Sequence, residues 1–299
     1  MIAKNIQVIY FIHRTKGKQK MARKTLFERL DSLGVSVIIE YDALIRLFKY
    51  EKSIRYYHTT FHPLVKYIND SYFRNLPAEF RSPYLSVEEM MDALELQDQS
   101  ASIEDLFLLS ELLIALLPSK YINKNEDVQE QAKTIFTNIS TFLEKLNYEL
   151  KEIDSGRQII VEKNPATTQA SEIVDDTNTA IALIEYNHYA LKGNLAEKRR
   201  ILTALGTYIE PILRSRALQN AGYRQLESDV GFMLNNFNVR HNNKEGAKAQ
   251  DYIVALNDKK LEEWYDRIYN AILSVIIISE HISTQSQLAN LKSTFTWKI

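Results

Sequence analysis

An all-α fold is what this sequence predicts, and three observations carry that expectation. Only 8 glycines and 6 prolines interrupt 299 residues, too few to punctuate many short strands. Apolar residues recur at helical spacing, as in Ile38, Tyr41, Ile45 and Phe48. Serines stand three residues ahead of acids just before apolar runs, Ser86 with Glu89 and Ser102 with Asp105, the pattern of a helix N-terminus. The architecture that follows is an N-terminal helical domain and a C-terminal helical bundle.

Taken in order, residues 1–20 read as an N-terminal extension, because Met21 opens "MARKTLFERL" in the manner of a natural start. Residues 1–24 are rich in Lys and Arg and carry no acid. "SIEDLFLLSELLIALLP" is apolar nearly all round and is expected to be a central core helix ended by Pro118. The acids between Arg81 and Lys120 read as a solvated helix face. Residues 125–152 are expected to be one helix, with Ile135, Phe142, Leu146 and Leu150 on a common face. "SGRQIIVEKNPATTQASEIVDD" then changes texture to Gly, Pro and small polar residues, which places the boundary between a domain at 21–155 and a bundle at 156–299. The only strand-like run is "RQIIVEK". In the bundle, two helices meet at Gly193, which ends the first, and Asn194, which caps the second. Two further helices are expected over 222–239 and 258–283.

Composition excludes several classes of function. Hydrophobic residues make up 45% of the chain and charged residues 25%, with a net charge of −1, so no global field draws it to polyanions. Cysteine is absent, which excludes disulfides, thiol nucleophiles and thiolate metal sites and fits a cytoplasmic location. No run of 18 apolar residues occurs, so no membrane helix is expected. Phosphate loops, dinucleotide fingerprints, zincin motifs and calcium loops are all missing. His58 and His62 are an i, i+4 pair, but Pro63 follows and no third ligand is apparent, so neither a metal nor a cofactor is expected.

Two polar clusters remain. "IEYNHYALKG" holds Glu185, Asn187 and His188. "LNNFNVRHNN" crowds Asn235, Asn236, Asn238, Arg240, His241 and Asn242 near a helix end. Asn has poor helix propensity because its amide competes for backbone hydrogen bonds. If the helix continues, Asn235, Asn238 and Asn242 form one stripe at i, i+3 and i+7. One reading is structural: amides and a guanidinium satisfying a turn. The other is a phosphate-handling site, since Arg grips phosphate with a bidentate fork and His moves a proton near neutral pH. In that reading Glu185 orients Arg240 or His241 from a neighbouring helix.

The segments "EYNHYALKGNLAEKRRIL", "LNNFNVRHNN" and "LEEWYDRIYNAILSVI", spread over roughly 157–283, resemble the HEPN superfamily (higher eukaryotes and prokaryotes nucleotide-binding domain). They are most similar to the C-terminal HEPN modules of bacterial abortive-infection proteins. The resemblance implies a toxin-type role in phage defence. It also implies metal-independent RNA cleavage or RNA binding, and a homodimer through the C-terminal bundle with the motif at the interface. An antitoxin or phage-derived protein would be a further partner. Carried over residue by residue, it makes His241 the general acid or base and Arg240 the stabiliser of transition-state charge. Asn236 and Asn242 orient phosphate or base, and Asn235, Glu185 and His188 support them. The family spacing, Arg or Asn followed by four to six residues and then His, is met from Asn236 or Asn235 and not from Arg240. Two alternatives stand beside it: a non-catalytic helical module for protein interaction or dimerisation, and a nucleic-acid-binding regulator, against which the near-neutral charge argues.

Overall fold

The computed structural model describes residues 34–49, 52–54, 59–61, 63–74, 83–96, 101–117, 126–154, 156–245 and 249–295. The residues expected to form an N-terminal extension, the basic run at 1–24, the His58/His62 pair and Pro118 all lie outside these residues. Helices dominate the described chain, joined by two antiparallel hairpins. Residues 36–299 form one compact unit.

The first half is built on α1 (Val37–Phe48), a small hairpin of β1 (Lys52–Ile54) and β2 (Thr59–Phe61), and α2 (Pro63–Ile68), which runs on into a π-helical stretch, Asn69–Arg74. Then come α3 (Val87–Ala93), α4 (Ile103–Leu116) and α5 (Glu126–Lys145). Both expected N-termini are present. Ser86 accepts the Glu89 amide, and Ser102 and Asp105 close a reciprocal capping box. As expected, α4 is a core helix: Leu106, Phe107, Leu109, Leu113, Ile114 and Leu116 are all buried. It packs on α1 and on the second hairpin.

The expected helix over 125–152 stops early. Leu146 and Asn147 bond back to the last helical turn, and Asn147 takes φ 64, a conformation that ends a helix. The chain then enters β3 (Tyr148–Asp154), which pairs antiparallel with β4 (Arg157–Glu162). The strand read in "RQIIVEK" is therefore present, and its partner, "YELKEID", is the one that helical spacing concealed. Gly156, with φ 89, lies in the connecting turn. The segment where a domain boundary was expected is thus a hairpin continuing into α6 (Pro165–Ile173), whose first amides are capped by Asn164.

The bundle follows with α7 (Thr177–Glu185), a 3₁₀ turn (Tyr189–Leu191), α8 (Leu195–Arg214), α9 (Ala217–Asn220), α10 (Arg224–Asn236), α11 (Asp251–Val254) and α12 (Asp258–Thr294). Asn194 caps α8 as expected, but Gly193 follows the 3₁₀ turn, because α7 has already ended at Glu185. The long α12 packs on α6, α8, α9 and α10. Leu261, Tyr265, Ile268, Ile272 and Val275 form its inward stripe, and it continues well past the expected end at 283. Among the described residues no helix is long and apolar enough to cross a membrane.

Truncating Leu109, fully buried in α4, to Ala is expected to cost about 2–5 kcal/mol in a denaturant titration, from lost transfer energy and the residual cavity. Glu95 is exposed, so Glu95→Lys should change stability by less than about 0.5 kcal/mol.

Candidate functional site

The asparagine-rich stretch forms a rigid corner. Val230 and Leu234 bury the inner face of α10, and Phe237 packs tilted against Trp264 with ring centroids 4.3 Å apart. The helix ends at Asn236, and Asn238 takes φ 59, which its short side chain tolerates. Asn238 and Asn243 then satisfy each other. The Asn238 amide donates to Asn243 Oδ1 at 3.1 Å, and the Asn243 amide donates to Asn238 Oδ1 at 3.0 Å. Both are buried. The Asn243 carbonyl accepts Gln250 N–H at 2.9 Å, tying the loop to the start of α11. A stripe of Asn235, Asn238 and Asn242 therefore does not form, because the helix that would align them has already ended. Asn238 faces inward and Asn242 caps a turn by accepting the Glu245 amide.

Arg240 is turned toward α8. Its guanidinium donates to the Gly206 carbonyl at 3.1 Å, reaches Asn235 Oδ1 at 3.5 Å and lies 3.6 Å from Glu210 Oε2. The helices can meet there because residue 206 has no side chain: a Cβ on it would come within 3.1 Å of Leu234 Cδ2. Arg240 is thus a cross-brace between α8 and α10. His241 and Asn242 lie on the exposed edge of the corner, with Asn235 also exposed and Asn236 half-buried, donating to the Phe232 carbonyl.

The second cluster does not join the first. Glu185 pairs with Arg157 on β4 at 3.6 Å, and the carboxylate beside Arg240 is Glu210. The expectation that Glu185 orients Arg240 or His241 is therefore corrected: Glu185 ends α7, on the side of the hairpin. His188 faces α4. Its Nδ1 accepts the Ala190 amide at 3.3 Å, which assigns the ring proton to Nε2, 3.0 Å from Glu111 Oε1. The same Glu111 oxygen accepts the Ile160 amide of β4 at 2.7 Å, and Tyr189 donates to the other at 3.3 Å. One carboxylate thus joins α4, the hairpin and the 3₁₀ turn.

Beside His188 opens a cleft of about 460 Å³, bounded by Tyr148, Tyr186, Asn187, Lys192 and α12. Its floor is a connected polar network. Lys198, 6% exposed, lies 2.7 Å from Asp266 and 2.9 Å from Glu262. Tyr186 donates to Asp266 at 3.0 Å and stacks on Tyr269, centroids 4.0 Å apart. Tyr269 donates to the Leu183 carbonyl at 2.7 Å and also meets Thr167 and Asn187. Burial pushes the phenol of Tyr186 far above its ordinary range, and the Asp266 charge adds to the shift. Burial likewise raises Tyr269, against the hydrogen bonds it receives. For Glu262 burial works the other way from its partners. The hydrogen bonds from Gly193 N–H and Lys198 outweigh desolvation and hold the carboxyl below its ordinary value.

The sequence singled out Asn187 and His188 but missed Lys198, Glu262, Asp266 and Glu111. One signal was present: Lys198 falls in line with Ile201, Leu205 and Ile209, a cation on the apolar stripe of α8. Among the described residues, no group of three or more His or carboxylates could hold a metal ion. Comparison with known protein families, curated proteins and solved structures finds no match for this chain.

Arg240→Lys should lower stability by about 1–3 kcal/mol in thermal or denaturant unfolding, since a single ammonium cannot serve the Gly206 carbonyl, Asn235 and Glu210 from one fork. The depressed carboxyl of Glu262 gives a pH signature. Its contribution is complete above its ordinary value near 4.5 and is lost as pH falls through the lowered folded-state value. Glu262→Gln should therefore flatten the acid limb of the stability profile below about pH 4.5, and an unchanged acid limb would remove Glu262 from the network's energetics.

Proposed function

We propose that this chain is an RNA-handling protein of the HEPN type serving in bacterial phage defence, with the exposed edge of the 235–243 corner as its RNA-facing surface and a homodimer as its working form. One observation carries the reading. His241 and Asn242 lie exposed on a corner that also displays two large aromatic side chains, Phe232 at 59% and Tyr252 at 57% exposure. Both rings are set by the buried Phe237, whose centroid lies 6.3 Å from Phe232 and 6.1 Å from Tyr252. Rings of this kind stack on unpaired bases, and neighbouring amides hydrogen-bond to base edges.

Within this reading His241 is the proton carrier. It takes the proton of an RNA 2′-hydroxyl as that oxygen attacks the adjacent phosphorus. It returns a proton to the 5′-oxygen as the bond from phosphorus to that oxygen breaks. The products are a 2′,3′-cyclic phosphate and a 5′-hydroxyl, with no metal in the step. The part of Arg240 is to position the corner, because its fork is already engaged. That engagement also favours the second reading, a non-catalytic helical module for protein interaction in phage defence.

Incubating the full chain with single-stranded RNA in EDTA separates them. His241→Ala is expected to slow cleavage by roughly 10²–10⁴-fold with an unchanged melting temperature. Phe232→Ala is expected to weaken RNA binding by about 5- to 100-fold, the loss of one stacked base. Cleavage at full rate by His241→Ala would retire the proton-transfer role, and RNA binding indifferent to both changes would leave the interaction module.

A further inference from the structure

The cleft beside His188 has the size of a small-molecule site. Its volume is about 460 Å³, and pockets for small ligands run from about 300 to 1,000 Å³. It opens between α12 on one side and, on the other, the start of β3, the end of β4 and the turn after α7. The corner at 235–243 contributes nothing to its lining.

Charge on its floor does not balance. Lys198 needs one counter-charge. Helix α12 supplies two, Glu262 and Asp266, four residues apart and so on one face. Each spends one oxygen on the scaffold. Glu262 Oε1 accepts Lys198 and the Gly193 amide, and Asp266 Oδ1 accepts Lys198 and the Tyr186 hydroxyl. Among the described residues, nothing donates to the second oxygens, Glu262 Oε2 and Asp266 Oδ2. The Lys198 side chain is only 8% exposed and that of Asp266 49%, so the cleft meets carboxylate oxygen rather than ammonium.

The rest of the lining brings no cation to offset this. Lys163 is held by Glu144, which lies outside the cleft. The exposed lining groups are two lysines, Lys192 and Lys259, matched by two glutamates, Glu162 and Glu263. One unit of negative charge is left, and it falls on the floor. The wall beside it is aromatic. Tyr148 and Tyr189 both pack on the buried Phe107, with ring centroids 4.7 Å and 5.1 Å away. A cation beside tyrosine rings gains from their negative faces. An anion is opposed by the floor, and a polyamine would carry its further charges to Lys192 and Lys259.

We propose that this cleft binds a small organic amine with a single positive charge, its ammonium donating to Glu262 and Asp266 and its body lying against Tyr148. The site stands on the cleft alone and does not depend on the RNA reading of the corner. A bound amine ties α12 to the hairpin, so it also stabilises the folded chain by linkage.

Phenethylamine is the probe, with phenethyl alcohol as its neutral analogue and hydrocinnamate as its anionic one. In calorimetric titration of the full chain, phenethylamine should bind in the millimolar range or tighter and raise the melting temperature. The alcohol and the carboxylate should bind roughly 10- to 100-fold more weakly, the loss of hydrogen bonds to charged groups. Spermidine should bind no more tightly than phenethylamine. Asp266→Asn keeps an oxygen for Lys198 and Tyr186 and should erase the advantage of the amine over the alcohol. Lys192→Ala, at an exposed position, should tighten phenethylamine binding by up to about five-fold. No binding of phenethylamine, equal binding of the amine and the alcohol, or an advantage that survives in folded Asp266→Asn each overturns the proposal. Should Asp266→Asn fail to fold, the three probes on the wild-type chain decide it.

Discussion

Lys198 sits where an amphipathic helix normally places a leucine, and much of the bundle is arranged around that charge. An ammonium out of water is tolerated only with counter-charges and a full set of acceptors. Glu262 and Asp266 on α12 supply them, one turn apart, which fixes the rotation of α12 against α8. Asp266 then accepts Tyr186, and the ring of Tyr186 stacks on Tyr269. Tyr269 ties in α6 through Thr167 and α7 through the Leu183 carbonyl. Slippage of any of these helices breaks hydrogen bonds to buried groups, so the network ties the register of the four helices together.

The corner of asparagines follows the same logic on a smaller scale. Asn238 and Asn243 replace the hydrogen bonds that a continued helix would have made, and Arg240 spans to α8 where Gly206 lets α10 come close. With these groups spent on the scaffold, the outward edge displays Asn235, His241, Asn242 and the aromatic pair Phe232 and Tyr252. A mount of this kind holds the exposed polar and aromatic edge still without itself taking part in what that edge contacts.

Sequence made the helices legible wherever one rule acted alone. Ser102 with Asp105 and Asn194 announced helix starts, and the apolar run of α4 announced a core helix. It misled where two periodicities overlapped. Leu146 and Leu150 extend the helical spacing of α5, yet Leu150 lies in β3, and only the left-handed residue at Asn147 decides between them. The polar clusters were visible as residue types, but their partners were not, because Glu111, Glu210, Arg157 and Glu262 are brought in from distant elements. Composition finds the groups that need partners, whereas only the packing of helices decides which partners they meet.

The Glu111 carboxylate ties the two halves of the chain together. One carboxylate on a helix of the first half accepts the Ile160 amide of β4 and the His188 ring of the second. The point that divides the halves by composition falls in the turn between β3 and β4, so a break there parts two strands of a single ladder. Cutting the chain at that turn would remove the pairing partner of each strand and part the Glu111 carboxylate from the amide and ring it accepts, so either fragment would expose backbone groups that the whole chain keeps bonded.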